Sequence, residues 1–147
     1  MRKQILLVAA LIAAPASAQL PGLRRYTPAQ AAPVLNSIGA LRADFAAQSG
    51  GALIYFVMGS ADIVPQARTL LDAQAAWLRI HPEVAVRIEG YGDTTDTRDH
   101  ALAMGARRAE QVRDYLVLMG VPAAQLTATS WGKERAGAGR VITTLVR

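Results

Sequence analysis

Cysteine is missing from all 147 residues, so neither a disulfide nor a lipid attached at a processed N-terminal cysteine is expected. No apolar run reaches the ~20 residues needed to cross hydrocarbon. The longest, residues 5–14, follows Arg2-Lys3, meets Pro15 and precedes Ala16-Ser17-Ala18, which is the three-part order of a secretory signal peptide rather than of a membrane anchor. Cleavage between Ala18 and Gln19 is predicted, leaving a mature protein soluble outside the cytoplasm, in a bacterium the periplasm. Positive charge is not clustered either. The formal charge of +5 falls by two when Arg2 and Lys3 leave, and the remaining arginines are scattered from Arg24 to Arg147, which argues against a nucleic-acid partner. There is no internal repeat and no low-complexity tract. With 52% hydrophobic and 18% charged residues, the chain fits one globular domain with a buried core plus extensions.

Residues 19–26 lack periodicity and read as a tether. Thr27-Pro28-Ala29-Gln30 then carries a helix-start signal: a hydroxyl to cap the first amides, proline at the first helical position and glutamine three residues on. Leu35, Ile38, Leu41 and Phe45 recur at helical spacing up to about Ala47, before Ser49-Gly50-Gly51 breaks the pattern. This amphipathic helix is expected to dock on the following domain, with another envelope protein as the alternative partner of residues 27–47. Residues 52–58 are continuously apolar and read as a central strand covered on both faces. Pro65 opens a helix with Ala67, Leu70, Leu71, Trp77 and Leu78 on one stripe, and His81-Pro82 ends it. Val84, Val86 and Ile88 alternate with Ala85, Arg87 and Glu89 as a half-buried strand. A helix over 98–119 follows, with Leu102, Ala106, Ala109, Val112, Leu116 and Met119 predicted as its buried stripe and Gly120 as its stop. Strands over 126–131 and 141–146 close the chain. The fold class is therefore α+β: a single two-layer α/β sandwich in βαβαββ order on a mixed sheet, preceded by an extra N-terminal helix. The segments are a signal peptide (1–18), a tether with the amphipathic helix (19–51) and the domain proper (52–147).

The chemistry concentrates in residues 90–109, where a glycine-flanked acidic loop runs into a helix carrying Arg107-Arg108. On that stripe Arg107 points to solvent, whereas Arg108 sits on the flank and can lay its stem against the sheet. A guanidinium so held grips a carboxylate through two parallel hydrogen bonds, and Asp93, between Gly92 and Thr94, can accept from an ammonium. The pair suits an amino-acid head group. An intramolecular salt bridge tying loop to helix is the plainer alternative.

Ile54-Tyr55-Phe56, Leu70-Leu71, Ile88-Glu89-Gly90, Asp93, Leu102, Arg107-Arg108-Ala109, Val112, Tyr115-Leu116 and Leu126-Thr127 resemble the OmpA-like peptidoglycan-binding domain, over residues 53–146. The resemblance implies non-catalytic, non-covalent attachment of an envelope protein to peptidoglycan, periplasmic and associated with the cell wall or outer membrane. It also implies that Asp93 and Arg108 clasp the amino and carboxylate groups of diaminopimelate in the stem peptide. Thr94, Thr95, Asp96, Ala101 and Arg140 are the further positions implied around the ligand. The sequence departs from the family pattern at Tyr91-Gly92, Asp96, His100-Ala101, Ala103, Val57, Gly59 and Ala138-Gly139, together a loss of about three or four hydrogen bonds at ~1 kcal/mol each. A degenerate domain serving as a structural or protein-interaction module, through the leading helix, Tyr91 or Trp131, is the alternative function. No cofactor or metal is expected. Asp93, Asp96, Asp99 and His100 lack the alternation of a calcium loop, and acids favour a helix N-terminus anyway. Neither His81 nor His100 has a nucleophile that the sequence places beside it, so an enzyme is not expected.

Overall fold

The computed structural model describes residues 37–135 and 138–146. The signal peptide, the tether and the helix start at Thr27 lie outside the described residues. The described residues belong to one compact unit.

Helix α1, Ile38–Ser49, begins at Ser37, whose side chain accepts from the Ala40 amide, and ends at Gly50 in the left-handed region with φ 77°. Its Leu41 and Phe45 enter the core. Phe45 meets the Trp77 ring edge-on at 5.2 Å between centroids, and Trp77 Nε1 donates to Asp44 at 2.7 Å. The amphipathic stripe of this helix is thus spent on its own domain.

Strand β1 is short, Leu53–Tyr55. Helix α2 spans Pro65–Ile80, β2 Ala85–Tyr91, and α3 Arg98–Leu118. A single 3-10 turn then leads into β3, Leu126–Gly132, and β4 is Arg140–Val146. This is the expected βαβαββ order behind a leading helix. The sheet runs β1-β4-β2-β3, with β2 and β3 parallel across the α3 crossover and the other pairs antiparallel. Ile54, Val86, Ile88, Val141 and Leu145 face the helices and meet Leu71, Leu78, Val112 and Leu116, giving two layers around one core.

Two expectations are corrected. Residues 52–58 are not a central strand: β1 is an edge strand with only Ile54 buried, while Tyr55 is 63% and Met58 74% exposed. The inner place beside β1 goes to β4, arriving from the far end of the chain. The first half of α3 also turns a different face inward. Leu102 is 48% exposed and Ala106 lies outside, while Ala101, Met104, Gly105 and Arg108 are buried. The cause is a close approach of backbones. A Cβ on Gly90 would stand 1.9 Å from the Gly105 carbonyl oxygen, and one on Gly92 would stand 2.3 Å from that of Ala101. Only glycine lets the helix lie this tightly on the end of β2.

Candidate ligand-binding site

The loop between β2 and α3 is pinned at its start. The Gly92 amide donates to Gly132 and the Gly92 carbonyl accepts from Gly139, so the ends of β3 and β4 hold it. Thr97 caps α3 by accepting from the His100 amide at 3.3 Å. Asp93 hangs between these anchors. Because Arg108 lies on the inner face of α3 and not its flank, it reaches directly under the loop.

All five guanidinium N–H groups of Arg108 are engaged. Nε donates to Ser60 O at 2.8 Å. Nη1 donates to Tyr91 O at 2.9 Å and to Asp93 Oδ1 at 3.0 Å. Nη2 donates to Val57 O at 3.1 Å and to Asp93 Oδ2 at 3.3 Å. The Phe56 ring lies 5.5 Å from the guanidinium carbon. Arg108 is completely enclosed, and Asp93 is 7% exposed. The two residues are therefore in direct, two-pronged contact. The Gly59 amide adds a bond to Asp93 Oδ2 at 2.7 Å. Burial pushes the Asp93 carboxyl upward, but the bonds from Arg108 and Gly59 outweigh it and hold the group below the usual carboxylate value. A buried ion pair so fully bonded makes either partner costly to remove alone.

Beside Asp93 opens a cleft of about 360 Å³. Tyr55, Phe56 and Met58 form one wall, Asp93, Thr94 and Thr95 the other, and Ala138-Gly139 the end. Asp93 is the one charged side chain among these lining residues. The structure thus brings Asp93, Thr94 and Thr95 together on the cleft, while Arg108 stands behind Asp93. The remaining sequence candidates are elsewhere. Asp96 is half-buried and turns its Oδ2 toward His100 Nε2 at 3.7 Å. Ala101 is fully buried, its backbone against Gly92. Arg140 opens β4 opposite Tyr55 and is not among the residues lining the cleft. Tyr91, expected as an exposed contact residue, is 3% exposed. Burial and then the neighbouring Glu89 raise its hydroxyl pKa. Trp131 lies under Arg135, whose guanidinium carbon is 3.5 Å from the ring centroid.

Reading the sequence missed the aromatic wall, because Tyr55 and Phe56 sit in a run that looks like a buried strand. It also missed Gly59 as a donor. The available signal was Gly59 itself, a glycine with φ 72° directly after that run. Among the described residues, no three of His, Cys, Asp and Glu gather as metal ligands, and no helix is long and apolar enough to cross a membrane.

The profile of the OmpA family matches residues 55–141. The chain belongs to the OmpA family. It is 45% identical over 85 residues to the peptidoglycan-associated lipoprotein of Rhizobium meliloti, covering 58% of this chain and 48% of that protein. It is 42% identical over 85 residues to the peptidoglycan-associated lipoprotein of Agrobacterium fabrum, with the same two coverages. The match thus spans about half the length of these curated relatives. The crystal structure of the peptidoglycan-associated lipoprotein from Burkholderia pseudomallei superimposes with a TM-score of 0.63 at 32% identity, covering 66% of this chain and 92% of that one. The OmpA-like fold and an association with the cell envelope follow.

These relatives correct one expectation. A protein with no lipid anchor was inferred from the missing cysteine, but the OmpA-family relatives are named lipoproteins. The absence of cysteine from these 147 residues does not decide anchoring, and the envelope assignment is what stands.

Proposed function

We propose that this protein attaches non-covalently to peptidoglycan by binding the diaminopimelate of the stem peptide in the cleft beside Asp93. The observation that carries the reading is a carboxylate held ionised as the sole charged group on the lining of an open cleft. A zwitterionic head group places its ammonium on Asp93 Oδ1, which accepts one bond from Arg108 and keeps a second acceptor position beside Gly139, whereas Oδ2 is occupied by Arg108 and Gly59. Arg108, enclosed and with every donor engaged, serves the site from behind by orienting Asp93. The Thr94 and Thr95 hydroxyls, both exposed on the cleft, take the remaining polar contacts, and Ala101 acts only by supporting Gly92. The membership in a family that is generally non-catalytic, and the names of its relatives, support a binding role without a reaction step.

The test is co-sedimentation of the full chain with purified diaminopimelate-type sacculi. Wild type is expected in the pellet, and Asp93→Ala in the supernatant. Equal pelleting of the two proteins would sink the assignment of Asp93. A second reading is favoured by the complete internal satisfaction of Arg108, which makes the pair a tie between loop and helix in a module that binds another envelope protein. Wild type remaining in the supernatant selects it.

A further inference from the structure

Strand β1 leaves a row of backbone groups unused. Ala52 O accepts from the Thr143 amide and the Phe56 amide donates to Gly139 O, both at 2.9 Å, and Ile54 stands opposite Val141. In an antiparallel ladder this alternation turns the N–H and C=O of Ala52, Ile54 and Phe56 toward β4 and those of Leu53 and Tyr55 the other way. On that side no strand follows, because β1 is the edge of the sheet. The usual protections of an edge, a lysine, a proline or a bulge, are absent from Leu53–Tyr55. Along it lies a groove of about 430 Å³, bounded across from the strand by Val64, Ala67 and Leu70. Tyr55 lines both this groove and the Asp93 cleft, so the two are neighbours across one side chain.

We infer that the groove is a second subsite, in which the peptide chain flanking diaminopimelate lies extended against the free edge of β1; this rests on the reading of the Asp93 cleft given above. The chemistry of the edge selects the occupant. Unpaired amide donors and acceptors are matched by another amide backbone and by little else. An apolar wall built from Val64, Ala67 and Leu70 accepts small apolar side chains. Three residues of strand span about 10 Å, enough for two or three residues of ligand. A ligand entering the cleft by its ammonium can cross the Tyr55 ring and continue along the groove without leaving the protein. A saccharide would find no row of hydroxyl partners there, since Gln66 is the only polar side chain besides Tyr55 lining it.

The experiment compares free meso-diaminopimelate with a synthetic stem tetrapeptide containing it, by calorimetric titration of the full chain. The tetrapeptide is expected to bind at least ~10-fold tighter, since amide pairing and apolar contact add to the head-group contacts. Leu53→Pro should remove that advantage and leave the affinity for the free amino acid unchanged. The amide it deletes points away from β4, so the ladder survives, and an unchanged melting temperature verifies this. A tetrapeptide N-methylated at its backbone amides should lose the same advantage on the unaltered protein. If wild type binds amino acid and tetrapeptide equally, or if Leu53→Pro and N-methylation both leave the gap intact, the groove inference is overturned while the Asp93 cleft stands. If neither ligand binds wild type, both fall together.

Discussion

The two halves of α3 pack on the same sheet by different physics. Toward its C-terminus the helix presents Val112 and Leu116, fully buried among Leu71, Leu78, Val86 and Ile88, and is held by the removal of apolar surface from water. Toward its N-terminus it presents Ala101, Gly105 and Arg108, and is held by backbone laid on backbone and by one enclosed charge with every donor engaged. The apolar half tolerates changes of shape in proportion to the volume lost. The polar half is all-or-none, because a guanidinium in that position is either fully bonded or very costly. The proposed binding site adjoins the second end, where the charge is enclosed and every donor engaged.

The sharpest way to break this contrast is Arg108→Ala. It leaves Asp93 and three carbonyl groups without their donor, and is expected to destabilise the domain by about 3–5 kcal/mol in urea unfolding. Leu116→Ala in the apolar half should cost about 3 kcal/mol, the ordinary loss of a buried leucine with its cavity, and should leave sacculus binding intact in whatever fraction stays folded. Gly90→Ala adds one methyl group, yet its Cβ would meet a carbonyl oxygen at 1.9 Å. It should cost about 2 kcal/mol and shift the loop carrying Asp93, so binding falls further than stability. The smallest effect is in pH. The folded value of Asp93 is lowered, so its contribution is present in full above the ordinary carboxylate range and is lost as the pH falls through the folded value. The stability gap between wild type and Asp93→Asn should therefore be constant near neutrality and close below about pH 4, as followed by urea midpoints.

The apolar half was legible in the sequence, and so was most of the architecture. The stripes of α2 and of α3 from Ala109 onward, the alternation in β2 and the proline and glycine stops all rest on hydrophobic periodicity, which local sequence carries directly. The polar half was only partly legible. Asp93 could be singled out as a carboxylate between permissive residues, but Gly105 and Ala101 carry no hydrophobic weight. A stripe fitted by apolarity therefore rotated toward Leu102 and Ala106 and left Arg108 on its flank. The glycines at 90 and 92 are visible in the sequence as flanking the acidic loop, but that α3 packs against them is not. Strand order was not legible at all, because whether β1 or β4 takes the inner place depends on pairing between the two ends of the domain, and the apolar run at 52–58 reads the same either way.

That pairing bears on when the domain can form. Leu53 finds Ile142 and Tyr55 finds Arg140, so the first strand has no partner until the last has been delivered, and contacts this distant in sequence form slowly. The acceptors of Arg108, by contrast, all precede it in the chain, Val57 and Ser60 after β1 and Tyr91 and Asp93 at the end of β2. The β2–α3–β3 unit can therefore assemble from neighbouring stretches of chain, while the edge of the sheet closes only once residues 140–146 are available to receive β1.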